Sequence, residues 1–363
     1  MHAIQKLIRE VNATHKGLGP MIGLNVLCAK AKKCVLNIAP AGCGKSVTTD
    51  TTVGMLRDYA KKFTSLTLAG LTHLKLELQD YHGHIVIDDL GGEKINSWMT
   101  FSRYSFLHFC PVCLSQSDWS RVSTITVLAN LVHTHFVRKV TQGYIIEISG
   151  FEGSAALNIQ PVMLSSLVAD NDWISVVRDK VLRYYHLFRP VKPKPLQKTP
   201  TINFDIPLHE VEPPAKKGKL WYQLVAITLT QWSYGRIMEH VPPMLQACAA
   251  LDSRHHILAD DYYMLIKLLR PMQLERYIVQ SFGLETSRVF DDNLYCMLVE
   301  IATHGNPSIE TICEDYKVAP VTVDRVAQTI PDWVWTKKNS PKRIMPTEMC
   351  QNILKLCGVN QKW

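Results

Sequence analysis

Ala39-Pro40-Ala41-Gly42-Cys43-Gly44-Lys45-Ser46 follows the apolar run Val35-Leu36-Asn37-Ile38 and leads into Val47-Thr48-Thr49. A glycine-rich loop between an apolar run and a segment able to open a helix has the form of a phosphate-binding P-loop. In such a loop backbone N–H groups cradle phosphates, a lysine reaches the β- and γ-phosphates, and a hydroxyl holds Mg²⁺. The pattern makes Ala41, Gly42, Cys43, Gly44, Lys45, Ser46 and Val47 the cradle, with Lys45 on phosphate and Ser46 on the metal. Ala39 stands where the usual first glycine would be, and alanine tolerates fewer backbone conformations. An ordinary turn is the bland alternative; the apolar entry and helix-competent exit argue against it.

A second signal lies some forty residues on. His84-Ile85-Val86-Ile87-Asp88-Asp89-Leu90 reads as an apolar strand ending in two carboxylates, the form of a Walker B element. Asp88 is then the Mg²⁺ ligand and Asp89 the group that polarises the attacking water. Asp89 is one methylene shorter than the usual glutamate, which predicts slower hydrolysis or an adjusted geometry. Tyr144 to Pro161 reads as strand, tight turn at Gly150–Gly153, and a second strand ending in Asn158, where an amide can orient water beside the γ-phosphate. Between these lie a β-rich stretch at 65–78, Cys110-Pro111-Val112-Cys113, and a helical pattern over Val122 to Val140 that ends near His133 and His135. The cysteine pair lacks the second tightly spaced ligand pair of structural zinc sites, so buried thiols and surface histidines are the simpler account.

Composition sets the frame. The 363 residues are 47% hydrophobic, enough for two or three packed domains, and contain no run of about 18 to 20 apolar residues of the kind a membrane span needs. Met1-His2-Ala3-Ile4-Gln5-Lys6 lacks a signal-peptide layout, and ten cysteines follow no repeating framework. An intracellular protein of the cytoplasm, nucleoid or nucleus is expected, without a membrane partner. The formal charge is +8; from Lys317 to Trp363 eight Lys/Arg stand against three acids, a net of +5. Such a basic terminus suits nucleic acid, or simply a solvated face.

Order along the chain follows. Residues 1–188 form the expected P-loop core, starting with a helical pattern at Ile4, Leu7, Ile8 and Val11 that covers the nucleotide pocket or packs on the core. Arg178, Arg183 and Arg189 surround the aromatic strand Tyr184-Tyr185-His186-Leu187-Phe188, where an arginine can reach a neighbouring subunit's nucleotide. Seven prolines between residues 189 and 219 predict an extended, poorly packed linker. Residues 220–285 are helical in pattern, with Arg236 placed to fold over the triphosphate. Residues 286–363 read as a winged helix-turn-helix whose recognition helix, Val321 to Ile330, presents Thr322, Arg325 and Gln328; Lys337, Lys338, Lys342 and Arg343 form a basic wing tip.

Taken together, the P-loop, the Asp-Asp strand, the Asn-ended strand, the arginine before an aromatic strand, the arginine-bearing helices and the winged helix resemble the AAA+ ATPases, most nearly the minichromosome maintenance type of helicase. The resemblance implies an α/β P-loop NTPase core with a helical lid, Mg-ATP as cofactor, and action on DNA from a homo-oligomeric ring or partial ring. It makes Lys45, Ser46, Asp88 and Asp89 the nucleotide and metal residues, and Asn158 sensor 1. It also makes Arg183, in Leu182-Arg183-Tyr184-Tyr185-His186-Leu187-Phe188, the arginine finger, and Arg236, in Ser233-Tyr234-Gly235-Arg236, sensor 2. The Gly150–Gly153 turn corresponds to the DNA-touching hairpin, although Glu152 stands at its tip rather than a lysine. Replication initiation, unwinding or helicase loading are the settings implied. A non-catalytic ATP switch, whose winged helix binds DNA or a protein partner, is the alternative.

Overall fold

Strand β1, Cys34–Ile38, is buried along its whole length, as a strand covered on both faces must be. It lies inside a five-stranded, all-parallel sheet with β2 (Ala60–Phe63), β3 (His84–Ile87), β6 (Ser154–Ile159) and β7 (Val181–Tyr185), in the order β2-β3-β6-β1-β7. A computed structural model of the chain describes residues 1–88, 90, 116–141, 144–169, 173–189, 200–281 and 288–363. The period of two along each strand divides the core between the two faces. Leu36, Ile38, Ile85, Ile87, Leu157 and Ile159 face one side, while Val35, Val86 and Ala156 face the other.

The second face is covered from both ends of the chain. Helix α1 (Ala3–Thr14) buries Ile4, Leu7, Ile8 and Val11, the spacing of one helical face. Helix α2 (Gly19–Lys30) is buried nearly all round, since it is wedged between α1, the sheet and later helices. Helix α3 (Lys45–Leu56) leaves the loop that follows β1. The first face receives α4 (Gln116–Thr134) and α5 (Pro161–Ala169).

Helices α6 (Lys219–Thr228), α7 (Tyr234–Leu251) and α8 (Ala259–Leu269) share one hydrophobic cluster with α1 and α2. The chain then forms α9 (Asp292–His304), α10 (Ile309–Tyr316), α11 (Pro320–Thr329), an antiparallel pair of strands (Val334–Lys337 and Arg343–Pro346) and α12 (Glu348–Leu356). Its apolar residues, among them Leu298, Ile312, Val326 and Ile344, are continuous with the first-face core. Among the described residues no helix is long and apolar enough to cross a membrane.

Four expectations change. The stretch at 65–78 is not β-rich: it holds the short helices Leu68–His73 and Lys75–Leu78, and the strand is Ala60–Phe63 just before it. That strand is an edge carrying Lys61 and Lys62, so it lacks an apolar signature. The predicted helix Val122 to Val140 ends at Thr134, and β4 (Val137–Thr141) pairs antiparallel with β5 (Tyr144–Ile148). The hairpin therefore forms one element earlier than Gly150–Gly153, which instead link β5 to β6 with Glu152 paired to Lys32 at 2.8 Å. Finally, residues 200–215 are packed only in part: they lack regular structure apart from one short turn and half of them are exposed, yet Val211 is buried and accepts a hydrogen bond from Gln246.

Candidate functional site

At the carboxyl edge of the sheet the chain turns from β1 into α3 through two left-handed residues, Gly42 at φ +77° and Gly44 at φ +78°. Neither could carry a side chain freely. A Cβ on Gly42 would lie 3.0 Å from Arg189 Nη1, and one on Gly44 would lie 2.9 Å from the Leu18 methyls. Helix α3 has no side-chain cap and no acid in its first turn, which leaves its N–H groups and dipole turned toward the loop. Lys45 is 8% exposed and donates to Ala39 O at 2.6 Å and Pro40 O at 2.9 Å, across the loop's own mouth. Ala41, Gly42 and Ser46 are exposed, and Val47 is half-buried. Cys43 is fully buried, its thiol pushed up to about 11 by burial, against the pull of Arg189 and Lys45.

Asp88 follows β3 at the same edge, one strand removed from β1 because β6 lies between. Its Oδ2 is 3.6 Å from Lys62 Nζ, which also meets Asp50 Oδ1 at 2.5 Å. Its Oδ1 is buried without a hydrogen-bond partner among the described residues. An orphaned carboxylate oxygen at the edge of the sheet where the exposed Ser46 opens α3 is a donor set of the type Mg²⁺ or its water shell takes. Asp89, Cys110 and Cys113 lie outside the described residues.

Three residues expected at the nucleotide have other work. Asn158 is beside Asn37 on β1, directly beneath the loop, and both of its polar atoms are engaged. Its Nδ2 donates to Thr49 Oγ1 at 2.7 Å and its Oδ1 accepts from Asn37 at 3.0 Å. It pins α3 to the sheet, and its Nδ2 also lies 3.4 Å from Lys45 O, so the amide expected to orient water is used here to hold the foot of the loop. Arg183 is completely buried at mid-strand. It forms a two-point pair with Glu275 (Nε to Oε2 2.7 Å, Nη2 to Oε1 2.9 Å) and donates to the carbonyls of Val177, Arg178 and Val181. A guanidinium so enclosed cannot extend to a neighbouring subunit, so Arg183 is a clamp inside the fold rather than a finger.

Arg236 is at the wrong edge. It pairs with Asp179 at 2.9 Å and Glu239 at 2.6 Å, and contacts His133 at 2.8 Å. Asp179 stands just before β7, and Glu239 O accepts from Lys33, just before β1. A five-residue strand rising about 3.3 Å per residue places that edge roughly 16 Å from the P-loop. The helices of 220–285 therefore cover the sheet from its second face and do not bring Arg236 over a phosphate.

The arginine that does meet the loop is Arg189, which the sequence pattern named only in passing. It follows the end of β7 by four residues and brings Nη1 to Gly42. A cavity of about 240 Å³ adjoins the same edge, bounded by Gly17, Pro20, His186, Phe188, Lys267 and Trp363. Leu18, between two of these lining residues, touches Gly44. His186 is pushed down to about 3 by burial and by the nearby Lys45 charge, and its Nε2 has no hydrogen-bond partner among the described residues.

The C-terminal candidates are mostly solvent-facing. Arg325, Gln328, Lys337, Lys338, Lys342 and Arg343 are exposed and Thr322 is half-buried. Helix α11 contacts the first strand of the pair that follows it, and Lys342 Nζ lies 3.6 Å from Asp324 Oδ2 on that helix, so part of the charge at the strand turn is offset. In comparison with known proteins, the chain matches no family model and no curated protein.

Proposed function

We propose that the protein is an Mg-ATP-binding ATPase of the AAA+ type that acts on DNA. The carrying observation is the carboxyl-edge loop: two left-handed glycines, an uncapped helix start and a lysine across the mouth, in a parallel sheet whose ligand crevice is expected at this edge. The triphosphate would lie on the N–H groups of 41–47, with Lys45 turning from the Ala39 and Pro40 carbonyls to the phosphates. Ser46 and Asp88 would hold Mg²⁺, which supplies charge neutralisation between the phosphates. The base would enter the adjoining cavity, which His186 and Phe188 help to line. Residues 292–346 form the proposed winged helix, with α11 as the reading helix and the exposed lysines beyond it on phosphates. A ring or partial ring of subunits belongs to this reading, but its trans-acting arginine is not Arg183.

One observation favours a second reading, a nucleotide switch with little turnover: Asn158, Arg183 and Arg236 are all committed elsewhere. Turnover with and without DNA separates the two. The central test is Lys45→Ala. Loss of one charge-assisted contact to phosphate, about 2 to 3 kcal/mol, should weaken ATP binding by roughly 30-fold or more in a calorimetric titration. Unchanged affinity in a folded variant would overturn the loop as the nucleotide site.

A further inference from the structure

Arg189 stands between the P-loop and the C-terminal helices, and touches both. Its side chain is 9% exposed, with Nε 3.0 Å from Glu300 Oε1 on α9. Nη1 is 3.4 Å from Asp315 O and 4.0 Å from Asp315 Oδ1 at the end of α10, and Cζ lies 4.2 Å over the Tyr316 ring. Its backbone N–H donates to Thr303 Oγ1 at 2.8 Å. Two groups in this cluster are incompletely used. Arg189 Nη2 and Glu300 Oε2 are both buried without a hydrogen-bond partner among the described residues, and His304 Nε2 is 3.6 Å from that Glu300 oxygen.

Glu300, His304 and Asp315 each place one ligand atom within 4.8 Å of the others, a spacing a metal ion would accept. The guanidinium already supplies the positive charge there, so the cluster reads more simply as an ion network centred on Arg189. That guanidinium lies against Gly42, its Nη1 3.0 Å from where a Cβ would stand, in the middle of the loop proposed to hold phosphate. The Tyr295 hydroxyl, on the same helix as Glu300, is 2.6 Å from Ile38 O and 2.9 Å from His186 O, which fixes α9 to the ends of β1 and β7. A change at the loop thus has one short route into α9 and α10.

We propose that Arg189 reads the terminal phosphate of a nucleoside triphosphate, exchanging Glu300 for that phosphate and so reporting the state of the loop to α9 and α10. This rests on the nucleotide-binding reading of the loop. A buried cation whose carboxylate partner belongs to another part of the molecule can move between two anions, and the move changes what holds the helices. A diphosphate, which lacks the terminal group, would leave the Arg189–Glu300 pair in place.

The test is titration of the full chain with MgATP and MgADP, together with amide hydrogen exchange over residues 292–316. Arg189→Gln should weaken MgATP binding about tenfold, the loss of one charge-assisted contact, while leaving MgADP within about twofold. Glu300→Gln should strengthen MgATP binding severalfold without changing MgADP, because the competing anion is gone. Exchange over 292–316 should differ between the ATP and ADP forms of the wild type and be the same in both for Arg189→Gln. An ATP-to-ADP affinity ratio unchanged in both variants would overturn the proposal. Failure of the wild type to bind either nucleotide would instead overturn the loop assignment beneath it. If Arg189→Gln does not fold, Arg189→Lys, which keeps the charge but loses the two-point fork, together with Glu300→Gln decides the same question.

Discussion

The two edges of the central sheet carry nearly the same chemistry. At the amino edge Arg236 meets Asp179, Glu239 and His133; at the carboxyl edge Arg189 meets Glu300 and Asp315, with His304 beside them. By residue type the two clusters are interchangeable. They differ in what surrounds them: the carboxylate partners of Arg236 are a third to a half exposed, whereas Glu300 is fully buried and Arg189 lies against a left-handed glycine. Water already solvates the first cluster, and its members pair among themselves. The second has buried atoms left unpaired beside an uncapped helix, which is the condition for binding something else. An arginine among acids is therefore not a site until the backbone next to it has something to offer a ligand.

That comparison can be broken most sharply at Arg183, the arginine that resembles neither. Its pair with Glu275 is fully enclosed, so Arg183→Met leaves a buried carboxylate without its cation. The expected loss is about 3 to 5 kcal/mol in urea unfolding, with nucleotide affinity in the folded fraction unaffected. A loss under about 1 kcal/mol would show that the clamp is not needed.

A smaller effect is expected at the carboxyl edge as pH changes. Burial lifts the Glu300 carboxyl to about 7, against the pull of Arg189, and burial with the neighbouring Asp291 charge lifts Asp292 to about 7 as well. For each, the folded chain holds the proton more tightly than the unfolded chain. Their stabilisation is therefore complete below the ordinary carboxylate range near 4 and is lost as pH rises through about 7. Buried His84, His186 and His240, pushed down to about 3 by burial, act in the opposite sense: their contribution is present above pH 6.5 and is lost on acidification. Comparison of wild type with Glu300→Gln isolates the carboxyl. Between pH 5 and 7.5 the wild type should lose on the order of 1 to 2 kcal/mol more than the variant, and parallel pH profiles would show that Glu300 titrates normally.

The smallest effect should be Arg236→Ala. Partly exposed ion pairs contribute about 0 to 1 kcal/mol, so thermal stability should shift little and nucleotide affinity not at all. A large loss of nucleotide affinity would mean that the amino edge communicates with the loop, and the contrast between the edges would fail.

Much of the loop was legible because its chemistry is contiguous: eight residues contain the glycines, the lysine and the hydroxyl, and the apolar run before them had to be a buried strand. The Asp88 strand and α1 were legible for the same reason, through period and position. What sequence spacing could not provide was direction. Nothing in Leu182-Arg183-Tyr184 says that Arg183 points into the first-face core, and nothing in Ser233-Tyr234-Gly235-Arg236 says which edge of the sheet α7 reaches. The β4–β5 hairpin was displaced by one element because pairing depends on partners, and β2 was missed because an edge strand of lysines carries no apolar alternation.

By itself, then, the sequence determined the glycine-rich loop with its lysine, the strand leading into it and the α/β character of the core, since each depends on residues adjacent in the chain. Only the tertiary structure decided which arginine lies against that loop. Arg183, Arg189 and Arg236 differ in burial, partner and sheet edge, and these follow from long-range packing of α7 and α9 against strands up to about 260 residues away in sequence, as the Tyr295–Ile38 contact shows with a separation of 257. Charge alone made them equivalent; the low-dielectric surroundings that distinguish a clamp, a surface pair and a guanidinium against the glycine-rich loop exist only once the chain has folded.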